Sequence, residues 1–197
     1  WAAGSSSTIP VDGTRLEALG PGGGVTALDG GHVVLRGATI AANANTLYAN
    51  GAGSVIDASN VSIVPGGTST SGTAMQASTG GIINITGGDI TLSNINGSLV
   101  ASDAGSAIHL DGVQVNAARN GRLRASNAGL LTVRDSQIAF APGGSLAGFA
   151  VEGTGGRVEV YDSQVDGGWF DVGGGNSSLL LQNVTANSVG GSLRVMG

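Results

Sequence analysis

Apolar residues alternate with variable ones in a short phrase that recurs along this chain. Each copy holds two apolar residues on either side of one variable residue, as in a β-strand with one buried face, because strand side chains alternate between faces. Successive copies lie 21 to 28 residues apart. The copies are Val25/Ala27, Leu47/Ala49, Met75/Ala77, Leu99/Ala101, Leu123/Ala125, Phe149/Val151, Phe170/Val172 and Leu193/Val195.

A second strand follows each of the first seven copies. Its apolar pairs are Val33/Leu35, Ile56/Ala58, Ile83/Ile85, Ile108/Leu110, Leu131/Val133, Val158/Val160 and Leu179/Leu181. Two residues after each pair stands a residue that tolerates a left-handed backbone, which predicts a bend there. These bend residues are Gly37, Asn60, Gly87, Gly112, Asp135, Asp162 and Asn183. A third strand is then anchored by Ile40, Ile63, Ile90, Val115, Ile138, Val165 and Ala186.

Each of these strands is too short to be stable alone. Stacking every strand on its next copy pairs the backbones and joins the inward residues in shared columns. The repeat therefore predicts an all-β fold: a right-handed, single-stranded parallel β-helix of about seven to eight three-stranded coils. We expect residues 25–197 to form this rod as a fragment of a longer one, and residues 1–24 to form an N-terminal capping segment or an incomplete first coil.

The composition of the chain excludes some kinds of site and makes one class of partner, nucleic acid, unexpected. The chain has no cysteine and no lysine, and its formal net charge is -5. Disulfides and thiolate metal sites are therefore excluded, and nucleic acid is not expected as a partner, because phosphate binding favours a basic face. We also expect no cofactor and no metal, and a monomer.

Three segments resemble the passenger domains of bacterial type V autotransporters, the pertactin-like group above all. They read Leu47-Tyr-Ala-Asn-Gly-Ala-Gly-Ser-Val-Ile, Met75-Gln-Ala-Ser-Thr-Gly-Gly-Ile-Ile-Asn-Ile and Leu123-Arg-Ala-Ser-Asn-Ala-Gly-Leu-Leu-Thr-Val. The resemblance extends over roughly residues 25–195. It implies a secreted or surface-exposed bacterial passenger that acts as a stalk or binds a host protein or glycan. It also implies contact with a membrane only through a C-terminal barrel that this sequence lacks.

Aromatic residues are concentrated late in the chain. Phe149 and Phe170 occupy inward positions and are predicted to lie in the core. Exposed aromatic residues often mark binding surfaces, so Tyr161, Trp169, Phe140 and Leu146 are the candidate binding residues. Leu146 belongs to the corner from Ala141 to Gly148, and the corner from Pro65 to Gly72 is the other long one. Such corners can project from a rigid rod and carry binding residues.

Several charged residues could have either a functional or a purely structural role. Asp135 and Asp162 are predicted to lie about 5 Å apart in adjacent coils, as a carboxylate pair for glycan hydrolysis or calcium, or simply as two bend residues. Four arginines, Arg119, Arg122, Arg124 and Arg134, could bind an acidic polymer or be solvated, and Arg134 can pair with Asp111 one coil earlier. His32 and His109 are isolated histidines far apart in the repeat, and we expect both to be ordinary surface residues without a shared metal. A polysaccharide lyase or glycoside hydrolase is the alternative function, although a binding protein that is not an enzyme is expected.

Overall fold

The computed structural model describes residues 1–4, 7–18, 23–43, 45–66, 73–92, 98–143 and 147–187, and the backbone of 193–196. Every regular element in these ranges is a strand. In chain order the strands are β1 (Ala2–Ala3), β2 (Thr8–Asp12), β3 (Arg15–Ala18), β4 (Val25–Leu28), β5 (His32–Arg36), β6 (Thr39–Ala42), β7 (Leu47–Asn50), β8 (Val55–Pro65), β9 (Thr73–Ser78), β10 (Ile82–Leu92), β11 (Ser98–Ser102), β12 (Ala107–Asp111), β13 (Gln114–Ala117), β14 (Arg122–Ser126), β15 (Leu130–Arg134), β16 (Gln137–Phe140), β17 (Gly148–Glu152), β18 (Arg157–Tyr161), β19 (Gln164–Asp166), β20 (Trp169–Gly173), β21 (Ser178–Gln182), β22 (Thr185–Asn187) and β23 (Leu193–Met196).

These strands stack as a parallel β-solenoid of about seven turns, which confirms the predicted fold class. The first column is a nine-stranded sheet that runs from β1 through β4, β7 and onward to β23. The second and third columns form one 14-stranded sheet, because β8 and β10 continue through the bend between them. Every pairing between coils is parallel. The outward surfaces of the three strand columns are called here the first, second and third face.

The inward residues of the second column form the predicted ladder. Val33, Ile56, Ile83, Ile108, Leu131, Val158 and Leu179 lie opposite one another in successive coils. All but the last are at most 2% exposed, and Leu179 is half-buried in β21. Each of the first six ladder strands contributes one almost fully desolvated aliphatic side chain, and the hydrophobic effect is therefore distributed evenly along this part of the rod.

The bend column takes the left-handed conformation that its composition predicts. The φ angles are 56° at Gly37, 50° at Asn60, 67° at Gly87, 61° at Gly112, 47° at Asp135, 47° at Asp162 and 54° at Asn183. Residues with a β-carbon pay a steric penalty in this region, and Asn and Asp pay the least among them. The restriction to Gly, Asn and Asp thus follows from backbone geometry.

Two buried serines satisfy the backbone just after this bend. The Ser136 hydroxyl accepts a hydrogen bond from the Val113 N–H at 3.1 Å and donates to the Arg134 carbonyl. The Ser163 hydroxyl repeats the arrangement one coil later, accepting from the Ser136 N–H at 3.1 Å. Because an unpaired buried N–H costs free energy, these hydroxyls allow the chain to bend without that cost.

The N-terminal segment adds its own strands to the stack. Strand β1 pairs with β4, β2 pairs with β5, and β3 pairs with β6. Leu16 therefore lies opposite Ile40, in the third column. A cavity of about 280 Å³ lies at this end of the core, lined in part by Trp1, Ile9 and Leu16.

Candidate binding site

The second face carries an almost continuous polar row along the rod. Its central row contains the outward residues of the second column, which lie in register across successive coils. From the N-terminal end they are Val34, Asp57, Asn84, His109, Thr132, Glu159 and Leu180. Since strands stack about 4.8 Å apart, neighbouring side chains in the row are within hydrogen-bonding reach.

Four residues of β15 and β18 form a connected group, called here the Tyr161 cluster: Arg134, Arg157, Glu159 and Tyr161. The Tyr161 hydroxyl donates to Glu159 Oε2 at 3.0 Å, and Arg157 forms an ion pair with Glu159 Oε1. The Arg134 guanidinium lies over the Tyr161 ring, 4.1 Å from its centroid, as a cation–π contact. Both carboxylate oxygens of Glu159 and one face of the phenol ring are therefore held within the cluster.

Burial distinguishes the centre of the cluster from its rim. The Glu159 side chain is 11% exposed, whereas that of Arg157 is 58% exposed. A buried carboxylate needs charge-assisted partners to offset its desolvation, and Arg157 and Tyr161 supply them. Arg134 and Arg157 outnumber Glu159, so the cluster is cationic on a chain whose net charge is -5.

Two pKa shifts follow from this environment. Partial desolvation, and then the hydrogen bond to Glu159, raise the pKa of the Tyr161 phenol, against the opposing charges of Arg134 and Arg157. One coil before Arg134, burial and the Arg134 charge lower the pKa of His109, with Glu159 opposing. At neutral pH the phenol is a neutral hydrogen-bond donor and the imidazole is mostly uncharged.

A second polar group lies toward the N-terminal end of the same face. His32 Nε2 lies 2.7 Å from Asp57 Oδ2, and the Asn84 side-chain amide donates to Asp57 Oδ1, also at 2.7 Å. The three residues come from β5, β8 and β10, so the Asp57 carboxylate is held between neighbours on successive coils. We call this the Asp57 group.

The four candidate binding residues do not form one patch. Tyr161 is half-buried on the second face, while Trp169 is half-buried in β20 of the first column, opposite Gly148. The third candidate, Phe140, is buried: it is 6% exposed and packs edge-to-face against Phe149, with ring centroids 5.7 Å apart. Its position two residues after inward Ile138 turns it into the core. Leu146 lies outside the described residues.

The predicted core positions of Phe149 and Phe170 are confirmed. Phe149 and Phe170 are buried, and their rings stack with centroids 5.6 Å apart and an interplanar angle of 1°. Together with Phe140 they form a row across three coils. This row fills the core between β16, β17 and β20, and none of the three residues is more than 9% exposed.

The other sequence candidates take structural positions. Asp135 and Asp162 are exposed bend residues, and Asn183 donates a hydrogen bond to Asp162 Oδ1 at 2.9 Å. Arg122 and Arg124 both form ion pairs with Glu152, at 2.7 and 3.0 Å. The corner from Pro65 to Gly72 lies outside the described residues after position 66.

The expected Arg134–Asp111 pairing is only half right. The two residues lie opposite each other in adjacent strands, as the column predicts. The Arg134 guanidinium, however, stacks on Tyr161 in the coil on the other side. Thr132 faces outward but is 6% exposed, because the larger His109 and Glu159 side chains flank it.

Glu159 was not among the residues that the sequence pattern singled out. The motif Arg157-Val-Glu-Val-Tyr161 places three polar side chains on one outward face by period-two alternation, which was the available signal. The link to Arg134 could be found only by aligning residue 161 with residue 134, one coil earlier.

Among the residues that the structure describes, no group of three or more His, Asp or Glu side chains could hold a metal ion. In the same ranges, no helix has the length and hydrophobicity required to cross a bilayer. Comparison of the chain with protein-family models, with curated proteins and with solved structures gave no match.

Proposed function

We propose that this chain is part of an extracellular autotransporter passenger, secreted or displayed on a bacterial surface. In this proposal the solenoid is a rigid scaffold, and the Tyr161 cluster on its second face binds a host protein. The partner would present an acidic or aromatic patch to the two arginines and the phenol ring.

The scaffold part of the proposal is supported by the repeat. Stacked coils whose inward apolar residues form continuous buried columns make a stiff rod, and the sequence segments at Leu47, Met75 and Leu123 resemble those of pertactin-like passengers. A chain without cysteine also suits export through a membrane in an unfolded state.

The observation that carries the binding proposal is the arrangement around Tyr161. Tyrosine and arginine are the residue types that dominate the energetics of protein interfaces. Here Arg134, Glu159 and Tyr161 already restrain one another in the free protein. Binding would then cost less side-chain entropy than it does for free side chains, and this pre-organisation increases affinity.

The same geometry favours binding over glycan hydrolysis or elimination. A catalytic acid or base must exchange a proton with the substrate near the working pH. In the cluster, both oxygens of Glu159 are engaged by Arg157 and Tyr161, and the raised pKa of Tyr161 makes its phenolate scarce at neutral pH. Glycoside hydrolases also use a pair of carboxyl groups, whereas the cluster contains one.

The test is a binding assay with the whole chain immobilised and fibronectin, laminin, collagen and serum albumin as analytes. The informative pair is Tyr161→Ser on the second face and Trp169→Ser on the first face. Both remove a half-buried aromatic residue, but only the first disrupts the cluster. We expect Tyr161→Ser to weaken binding of the recognised protein by about ten-fold or more, in the range of interface hot spots, and Trp169→Ser to have little effect.

Circular dichroism and thermal melting of both variants control for folding. Binding that survives Tyr161→Ser in a folded variant, or that is lost only in Trp169→Ser, would contradict the placement of the interface. Turnover of pectin or alginate by the purified chain would favour the alternative function.

A further inference from the structure

The Asp57 group lines a shallow depression on the second face, separate from the Tyr161 cluster. Its volume is about 360 Å³, which is within the range of small-molecule sites. Its walls come from three successive coils, with polar side chains from β5, β8 and β10. These side chains are His32, Arg36, Asp57, Ser59, Asn84 and Thr86, with Val34 on the apolar part of the surface.

The Asp57 carboxylate is both fixed and accessible. His32 and Asn84 each hold one of its oxygens at 2.7 Å, so the carboxylate has a defined orientation. The side chains of Asp57 and His32 are nonetheless 43% and 38% exposed. Because a carboxylate has about four lone-pair sites, it can accept further hydrogen bonds from a ligand.

Both hydrogen-bond donors and hydrogen-bond acceptors lie around the Asp57 carboxylate. Asn84 uses one N–H for Asp57, and its amide carries a second N–H and a carbonyl oxygen. Arg36 is 61% exposed, with one long contact of 3.5 Å to Asp12. Thr86 is exposed and adds a hydroxyl on the same edge. Mixed donors and acceptors beside a small apolar surface suit the hydroxyls and C–H groups of a sugar ring.

The charges in the depression favour a neutral sugar over an acidic one. Arg36 and Asp57 are the two formal charges in the depression and cancel. The carboxylate lies at the centre, between His32 and Asn84, so a uronate or sialate carboxylate placed there would be repelled. Neutral hydroxyls, by contrast, can donate to Asp57 and accept from Asn84.

We propose that this depression binds a short neutral oligosaccharide, with Asp57 and Asn84 holding adjacent hydroxyls of one pyranose ring. Arg36 and Thr86, in the row two residues further along the same strands, contact the next ring across the face. The site is independent of the Tyr161 cluster, so the same passenger would bear a glycan site and a protein site on one face.

The test is calorimetric titration of the whole chain with cellotriose, maltotriose and mannotriose, and with digalacturonate as an acidic comparison. We expect at least one neutral trisaccharide to bind with a millimolar or lower dissociation constant. Asp57→Ala and Asn84→Ala should each weaken it by about ten-fold or more, because each removes hydrogen bonds to the ligand. Asp89→Asn, which neutralises an exposed carboxylate on the third face, is the matched control and should bind normally.

Several outcomes would overturn the proposal. These are no neutral trisaccharide binding at millimolar concentration, binding that is unchanged in both Asp57→Ala and Asn84→Ala, and binding of digalacturonate alone. Circular dichroism shows whether each variant is folded, and Asn84→Ala, which leaves the His32–Asp57 contact in place, is the milder of the two. Tyr161→Ser should leave sugar binding unchanged, so a failure of the protein-binding proposal can be distinguished from a failure of this one.

Discussion

A substitution at Gly112 measures the free-energy cost of the left-handed bend that connects the second and third strands of a coil. Its φ is 61°, and a β-carbon added there would meet only the Gly87 nitrogen, at 4.0 Å. A Gly112→Ala substitution therefore introduces backbone strain without a collision. Left-handed backbone costs an L-residue roughly 1–2 kcal/mol, offset in part by the lower entropy of the unfolded alanine chain. We expect a net loss of about 1 kcal/mol in the free energy of unfolding.

Gly112→Asn is the matched comparison. Asn60 and Asn183 occupy the same column at φ of 50° and 54°, and Asn183 donates a hydrogen bond to Asp162 in the preceding coil. An asparagine at 112 would have Asp135 as its neighbour in the following coil, so this pair would have the reverse order along the rod. We therefore expect Gly112→Asn to be more stable than Gly112→Ala, by roughly 0.5–1 kcal/mol.

Gly88→Ala gives the opposite extreme. Its φ is 95°, and a β-carbon there would lie 2.1 Å from the Val61 carbonyl oxygen, so the backbone of the neighbouring coil would have to move. We expect this variant to lose several times the stability that Gly112→Ala loses. Urea denaturation followed by circular dichroism and by tryptophan fluorescence measures all three. Equal stability of Gly112→Ala and the wild type, or an asparagine variant less stable than the alanine variant, would show that left-handed strain at this bend does not determine stability.

Three further predictions concern burial and charge. Leu131→Ala should cost about 2–5 kcal/mol, as for other fully buried leucines, while Thr132→Ser should cost about 1 kcal/mol for a lost buried methyl; equal costs in urea denaturation would contradict the assigned burial. Ser136→Ala should cost about 1–3 kcal/mol because a buried backbone N–H loses its acceptor, and a neutral result would show that this hydroxyl is dispensable. Burial and Arg134 lower the pKa of folded His109, so the unfolded state binds more protons and stability should fall as the pH drops from above 7 through the unfolded pKa of 6.5. His109→Gln should flatten that fall between pH 7.5 and 5, and an unchanged pH profile would remove this residue as its cause.

The repeat predicted the fold because its constraints are local and periodic. Period-two alternation identified the inward ladder, and a column restricted to Gly, Asn and Asp identified the left-handed bends. Both depend on backbone geometry, which is the same in every coil. The resulting register also placed Asp111 beside Arg134 and Tyr161 outward.

The side-chain contacts of the site were harder to predict. Arg134 has a carboxylate on one side and an aromatic ring on the other, and the sequence cannot decide which of Asp111 and Tyr161 its long side chain contacts. Phe140, a candidate binding residue, is buried because it alternates with inward Ile138, and its ring packs against Phe149. Thr132 shows that an outward residue can be buried by longer neighbours, an effect of side-chain size on adjacent coils that a single strand does not reveal.

Hydroxyl-radical footprinting tests the central claim most directly, because it reads the accessibility of individual aromatic side chains in the unmodified chain. Tyr161 and Trp169 are both half-buried on different faces, and Trp1, 80% exposed, is an internal reference. In the presence of the host protein recognised in the binding assay, we expect oxidation of Tyr161 to fall and oxidation of Trp169 and Trp1 to stay unchanged. Protection of Trp169 with unchanged oxidation of Tyr161 would contradict this expectation.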